Sequence, residues 1–131
     1  MDRRAFLQVF FAGTSLIAPA VVNRSFPFGK GVLLLETPLA GVTYYQLIDV
    51  RTRLRPGDVL RLQRQPDNRY DALAIEVYWQ EFKLGYLPRR SNAVLARLLD
   101  AGHPIVAELH SLDFSTDIYD WVEVRVYSRP D

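Results

Sequence analysis

The chain has 131 residues, of which 49% are hydrophobic, and this allows one domain with its own core and little more. It contains no cysteine, which excludes a disulfide framework and a zinc site made of thiolates. The formal net charge is +1, so the chain as a whole is not a polycation. Its two histidines, His103 and His110, lack the spacing of metal ligands, and we expect neither a metal ion nor another cofactor.

Residues 1–20 have the pattern of an export signal. Residues 3–8 read RRAFLQ and resemble a twin-arginine signal, and a moderately apolar run follows over residues 9–17. Residues 18–20, Ala-Pro-Ala, have the small-x-small pattern that precedes a signal-peptidase cut. Because the apolar run is shorter than the ~20 residues of a membrane span, a cleaved signal fits better than a stable membrane span. The alternative is an amphipathic or disordered tail.

The signal, if it is used, implies a bacterial protein that is exported folded and works in the periplasm or elsewhere outside the cytoplasm. Otherwise the protein is cytoplasmic. Cleavage after Ala20 would remove two arginines and one aspartate and leave the mature chain formally neutral. Residues 21–31 contain Pro27 and Gly29 and are predicted to be a linker.

The first half of the remaining chain predicts short strands. Residues 42–50 are rich in aromatic and β-branched side chains, which favour strands. Residues 59–64 alternate, so one face is apolar and the other is basic or polar. Residues 55–58, Arg-Pro-Gly-Asp, predict a turn before that strand. The strands predicted here are Val32–Glu36, Val42–Val50 and Val59–Arg64.

The second half predicts further strands and one late helix, at about residues 91–101. Ser91 or Asn92 can cap the helix, and Gly102 with Pro104 ends it. Its predicted apolar stripe consists of Val94, Leu95, Leu98 and Leu99. The predicted strands are Ala72–Trp79, Phe82–Leu87, Ile105–Leu109 and Trp121–Tyr127, with a tight hairpin at Gln80-Glu81.

Six or seven short strands with a single helix predict a mostly β fold, either a small antiparallel barrel or a sandwich. A parallel sheet would need helical crossovers between its strands, and the sequence offers only one helix.

One polar loop leads into a predicted strand and is the best candidate for a binding site. Pro66, Asp67 and Asn68 predict a turn. Tyr70 and Asp71 then place an aromatic ring and a carboxylate where the loop meets the strand, and binding residues often lie on loops held by a rigid scaffold. The alternative is an ordinary surface hairpin loop.

Four segments, in their order and spacing, resemble a HIRAN domain of the stand-alone bacterial type. They are Ala40–Tyr45, Leu54–Asp58, Arg64–Val77 and Leu84–Gly102. The most specific part is Pro66-x-Asn68-x-Tyr70-Asp71-x-x-Ala74-Ile75. The resemblance covers about residues 32–127 and implies an OB-like, six-stranded antiparallel barrel with helical insertions.

The resemblance also implies a non-catalytic module that binds nucleic acid. The best-understood HIRAN domain belongs to a fork-remodelling DNA translocase and captures the 3′ end of single-stranded DNA. By this resemblance, Tyr44 and Tyr70 would stack on terminal bases, and Asp71 would accept a hydrogen bond from the free 3′-hydroxyl. Other family members are fused to helicases or nucleases, so a partner of either type is expected, while the oligomeric state stays open.

The same resemblance assigns the contacts that hold the strand. Asn68 and the backbone near Tyr45 would hold its end, and Arg89 would contact a phosphate. Thr43 stands where the DNA-capturing member has a basic residue, and Arg69, in place of a frequent proline, could restore that charge. In the predicted strand, Tyr44 and Tyr45 would point to opposite sides, so one of them would lie in the core.

Two other functions stay open at this point. The export pattern favours an accessory or interaction domain that binds a peptide, a glycan or an envelope partner. An enzyme is the third class: Asp67 and Asp71 could bind a divalent cation for nuclease chemistry. The chain has no phosphate-binding loop ending in Gly-Lys-Ser/Thr, and no complete catalytic set is evident.

Overall fold

A computed structural model describes residues 31–129 of the chain. Six antiparallel strands form one sheet in the order β1-β6-β5-β2-β3-β4. The strands are β1 (Val32–Pro38), β2 (Val59–Arg64), β3 (Ile75–Trp79), β4 (Phe82–Tyr86), β5 (Ile105–Leu112) and β6 (Val122–Ser128). The prediction of a mostly β, antiparallel fold is confirmed, and the open sheet has a barrel-like form.

Helical segments are short in the part of the chain that the structure describes. The predicted late helix is α2 (Ala93–Asp100), and a four-residue helix, α1 (Leu47–Val50), precedes β2. Single 3-10 turns occur at Val42–Tyr44, Arg89–Ser91 and Ile118–Asp120. No helix among residues 31–129 is long and apolar enough to cross a membrane. The predicted export signal and residues 21–30 of the predicted linker lie outside the described residues.

The core lies on one face of the sheet. Alternation in β3 and β6 points one set of side chains inward, and Ile75, Val77, Val124 and Val126 are completely buried as a result. Leu47 from α1 joins the same cluster. Burying these apolar side chains is the main force that holds the short strands together.

The two edge strands of the sheet come together at one point. Ala40 lies just beyond β1 and exchanges two backbone hydrogen bonds with Tyr86 of β4, with N–O distances of 2.8 and 3.0 Å. Gly85 permits this approach, because a Cβ atom there would lie 2.5 Å from the carbonyl oxygen of Ala40. We call this contact the seam. It fastens the sheet edges beside the candidate site described below.

The predicted strand over residues 42–50 is wrong. Gly41 adopts a left-handed conformation, with φ of 70°, and the chain enters a 3-10 turn and then α1. Leu47 and Val50 are both buried, and their spacing of three residues suits one face of a helical turn. Tertiary packing therefore overrides the β propensity of the side chains. Tyr44 and Tyr45 do not alternate across a sheet, and Tyr45 is only partly buried.

Two details of the late helix also differ from the prediction. Asn92 precedes the helix, but its side chain makes no capping hydrogen bond, because it is engaged elsewhere. Val94 is 68% exposed and does not belong to the inward face. That face uses Leu95, Leu98 and Leu99, whose spacing places them on one side of the helix.

Candidate functional site

The loop between β2 and β3 is shaped by Asn68. Its Oδ1 accepts hydrogen bonds from the backbone N–H groups of Tyr70 at 2.8 Å and Asp71 at 3.0 Å. Its Nδ2 donates to Oε1 of Gln65 at 2.8 Å. Side-chain bonds of this kind are typical of asparagine in turns. Asn68 therefore sets the positions of Tyr70 and Asp71, and its polar atoms are already engaged within the protein.

Arg64 anchors the end of the same loop. Its guanidinium donates to the carbonyl oxygens of Ala74 at 2.7 Å and Ala72 at 2.9 Å. Its Nε pairs with Oδ1 of Asp100, at the end of α2, at 2.9 Å. The loop is thus tied to both β2 and α2. Because residues 72–74 take part in this turn, β3 begins at Ile75 rather than at the predicted Ala72.

A groove of about 570 Å³ lies between this loop and the seam. Five of the six site residues expected from the sequence line it, namely Tyr45, Asn68, Tyr70, Asp71 and Arg89. Gln65, Tyr86 and Leu87 also contribute to its walls. Its size suits a small ligand or the end of a larger one.

Asp71 presents an ionised carboxylate at the groove. Its Oδ2 accepts a hydrogen bond from Nδ2 of Asn92 at 2.8 Å, and its Oδ1 accepts one from the backbone N–H of Leu73 at 2.9 Å. These two bonds lower the pKa of Asp71 below its ordinary value, and the charge of Arg89 lowers the pKa further. Each carboxylate oxygen has two lone pairs, so both oxygens can accept another donor.

The rim of the groove combines aromatic and cationic side chains. Tyr70 is 75% exposed, and the guanidinium carbon of Arg69 lies 5.4 Å from the centre of its ring. Arg89 is also exposed. An exposed ring beside exposed guanidinium groups suits a ligand that has both aromatic bases and phosphates.

Lys83 organises the wall of the groove opposite the loop. Its Nζ lies 4.1 Å from the ring centre of Tyr45 and 4.2 Å from that of Tyr86. It pairs with Oε2 of Glu76 at 3.0 Å and donates to the Tyr86 hydroxyl at 2.8 Å. Burial opposes the charge of Lys83, but the bonds to Tyr86 and Glu76 outweigh it and raise the pKa of the ammonium group. The Lys83 charge thereby fixes two aromatic rings.

A hydrogen-bond chain connects this wall with the loop. The Tyr86 hydroxyl donates to Oε1 of Gln65 at 2.5 Å, and the same oxygen accepts from Nδ2 of Asn68. The Tyr45 and Tyr86 rings meet edge to face, with their centres 5.7 Å apart. Both sides of the groove are therefore positioned by one network.

Sequence reasoning missed four residues of this network, namely Gln65, Lys83, Tyr86 and Asn92. Gln65 and Tyr86 belong to the segments that resemble a HIRAN domain, but their pairing joins residues that are 21 apart in the chain. The sequence predicts a helix cap at Asn92, and its bond to Asp71 is also a long-range contact. The polar residues of a strand that faces an aromatic loop are the signal that could have pointed to Lys83.

Tyr44 does not line the groove. It is 82% exposed and borders a neighbouring cleft of about 290 Å³ together with Ile118 and Tyr119. Gly41 borders both the cleft and the groove. The structure therefore places Tyr44 beside the other site residues rather than among them.

One group of potential metal ligands occurs within residues 31–129, away from the groove. Ligand atoms of Glu36, His110 and Glu123 lie within 4.8 Å of one another. The Glu36 carboxylate is already paired with Arg125 at 2.6 Å.

Comparison with known proteins identifies a domain over the same residues as the resemblance found in the sequence. A family model described as HIRAN domain matches residues 32–127. A solved structure of a protein from Lactobacillus plantarum has a TM-score of 0.67 and 31% identity, over 76% of this chain and 95% of that chain. The HIRAN domain of human HLTF has a TM-score of 0.57 and 22% identity, over 76% of this chain and 79% of that chain. No curated protein sequence matches the chain significantly.

Proposed function

The chain belongs to the HIRAN domain family, and we propose that it is a non-catalytic module that binds the free 3′ end of a single-stranded nucleic acid. The observation that carries the proposal is the Asp71 carboxylate. It is ionised, faces a groove of about 570 Å³, and lies beside an aromatic ring that is 75% exposed. This combination offers an acceptor for a terminal hydroxyl next to a surface for a terminal base.

Stacking supplies affinity without base specificity. Tyr70 offers an exposed face, and each base stacked on an aromatic ring contributes about 1–3 kcal/mol. Tyr45 and Tyr86 form the opposite wall and are held by Lys83. We assign stacking first to Tyr70, because Tyr44 lies outside the groove. Tyr44 would meet a nucleotide further from the end.

Asp71 would distinguish a hydroxyl end from a phosphorylated one. A hydroxyl can donate to either carboxylate oxygen. A terminal phosphate that has lost both protons cannot donate, and its negative charge would be repelled by the carboxylate. Because hydrogen bonds from Asn92 and Leu73 keep Asp71 ionised, this discrimination would persist over the whole neutral pH range.

Arg89 and Arg69 would contact the phosphates of the bound strand. Both side chains are exposed and border the groove, and a guanidinium can donate two parallel hydrogen bonds to a phosphate. Two such contacts predict moderate affinity that weakens with salt. The formally neutral mature chain predicts little nonspecific binding.

The compartment in which the protein would bind a strand depends on whether the export pattern is used. If the export pattern of residues 1–20 is used, the strand would be bound outside the cytoplasm. If the export pattern is not used, the protein would act in the cytoplasm, where the family resemblance makes a helicase or a nuclease the partner to test first.

Fluorescence anisotropy with the full chain tests the proposal. The probes are a labelled single strand with a free 3′-hydroxyl and the same strand with a 3′-phosphate. We expect tighter binding to the hydroxyl end, a loss of affinity in Tyr70→Ala, and a loss of end preference in Asp71→Asn. Asp67→Asn is the matched control, because it removes the same charge from the same loop and should keep the end preference.

Binding to neither strand would contradict the proposal and favour a peptide, a glycan or an envelope partner. Equal loss of end preference in Asp67→Asn and Asp71→Asn would show that the negative charge of the loop discriminates between the two ends, and not a hydrogen bond to Asp71.

A further inference from the structure

A row of side chains leads out of the groove across the outer face of β2, β3 and β4. Tyr86 on β4 pairs with Glu76 on β3, and two residues further along β3, Tyr78 pairs with Lys83 on one side and Arg61 on the other. Paired residues, and residues two apart in a strand, share one face of a sheet. The row therefore begins at the wall of the groove and ends at Arg61 on β2. We call it the outer row.

Arg61 lies at the end of the outer row, and its guanidinium is accessible to an anion. Its guanidinium carbon lies 4.4 Å from the ring centre of Tyr78, so the two side chains make a cation–π contact. The side chain is exposed and bonds Oε1 of Gln63. It forms no ion pair with any residue that the structure describes. Because a guanidinium has five N–H donors, most of them remain for a ligand.

The carboxylate of the outer row does not oppose a phosphate. Glu76 is buried, pairs with Nζ of Lys83 at 3.0 Å, and accepts from the Tyr78 hydroxyl at 3.1 Å. Its charge is thus balanced within the protein, and Arg61 dominates the exposed end of the row.

The spacing of the row matches a nucleic-acid strand. Arg61 lies two strands across and two residues along from Tyr86, which is about 12 Å between Cα atoms for standard strand geometry. A stacked strand advances ~3.4 Å per nucleotide. The distance therefore corresponds to about three or four nucleotides.

We propose that Arg61 and Tyr78 form a second contact site for the same strand, about three or four nucleotides on the 5′ side of the end held in the groove. Arg61 would contact a phosphate, and the exposed part of Tyr78 would support a base or a sugar. This inference rests on the proposed function and extends it from an end pocket to a pocket with a defined track.

The test measures how affinity depends on strand length. Strands with a free 3′-hydroxyl and about three or about eight nucleotides are titrated with the full chain. We expect the wild type to bind the longer strand more tightly. Arg61→Gln should weaken binding of the longer strand about three- to tenfold and reduce its salt slope by about 0.7, with the short strand unaffected. Arg97→Gln, which removes an exposed arginine from α2, should change neither.

A second pair of variants separates the ring of Tyr78 from its hydroxyl. Tyr78→Phe keeps the surface under Arg61 and should retain the length dependence, whereas Tyr78→Ala should lose it. Circular dichroism checks that each variant is folded, and the exposed Arg61 site gives an answer even if Tyr78→Ala is unstable.

The outcomes separate this inference from the proposed function. Equal binding of short and long strands by the wild type would overturn the second contact and leave end binding intact. Equal weakening of both strands by Arg61→Gln would also overturn it, because only a general field would be acting. Binding of neither strand would overturn both proposals.

Discussion

The substitution Asn92→Asp gives the sharpest test of how the candidate site is built. Asn92 precedes α2, where aspartate and asparagine are equally good caps, and a negative charge at that position also suits the helix dipole. A capping role therefore predicts no loss of stability. In the structure, however, Asn92 is 2% exposed and its Nδ2 donates to Oδ2 of Asp71 at 2.8 Å. Aspartate would set two carboxylates against each other.

The expected loss of stability is set by the least costly way in which the variant can avoid two adjacent negative charges. One of the two carboxyls can take up a proton that both then share. Protonating a group of ordinary pKa near 4 at about pH 7 costs about 4 kcal/mol, because each pH unit is worth about 1.4 kcal/mol. We therefore expect Asn92→Asp to lower the free energy of unfolding by about 3–4 kcal/mol near pH 7 and by only about 1–2 kcal/mol near pH 5.

Urea unfolding of the wild type and the variant at several pH values measures this difference. The wild type, by contrast, should become less stable as the pH falls. Since the pKa of Asp71 is lowered by folding, its contribution is present above the unfolded pKa and is lost as the pH falls through the folded pKa. Ser91→Asp is the matched control, because it adds the same charge at the same end of α2. Equal stability of Asn92→Asp and the wild type near neutral pH would refute the bond between Asn92 and Asp71.

Two further predictions concern the seam and the wall of the groove. Gly85→Ala should destabilise the fold by about 2–3 kcal/mol, measured by urea unfolding, because its Cβ would lie 2.5 Å from the Ala40 carbonyl oxygen. Gly102→Ala, with nothing within 4 Å but φ of +85°, should cost only about 1–2 kcal/mol; equal costs would argue against the seam. Lys83→Met should cost about 3 kcal/mol near neutral pH because it strands the buried Glu76 charge. Adding Glu76→Gln should recover much of that loss, and failure to recover would refute the pairing.

The strands could be predicted because their signal is local. Val59–Arg64 and the segment ending at Trp79 alternate with the period of a strand, and both are strands in the structure. The hairpin at Gln80-Glu81 was also predicted correctly, although Gln80 takes a positive φ of 55° without being glycine.

The segment over residues 42–50 could not be predicted from its own side chains. Its aromatic and β-branched residues favour a strand, while its conformation depends on Gly41 and on the packing of Leu47 and Val50 in a core assembled from distant strands. This error carried over to the site. Two tyrosines expected on opposite faces of a strand are instead distributed between the groove and the adjoining cleft.

The candidate site shows the same division between local and distant signals. The turn that presents Tyr70 and Asp71 is written in consecutive residues, and it lies where the sequence predicted a loop. The contacts of Asn92 and Lys83 join segments that the sequence separates. No local sequence pattern encodes these contacts, so the side chains that position the groove could be identified only from the folded structure.

The seam has a thermodynamic consequence. The groove lies where the sheet edges are joined by a single pair of hydrogen bonds, and its lining includes Ala40 on one side and Tyr86 on the other. A ligand that touches both sides would work as a clasp, and its binding energy would oppose local opening of the edges. Amide hydrogen exchange at Ala40 and Tyr86 should therefore slow in proportion to occupancy. The two sheet edges would therefore be held together most firmly in the ligand-bound protein.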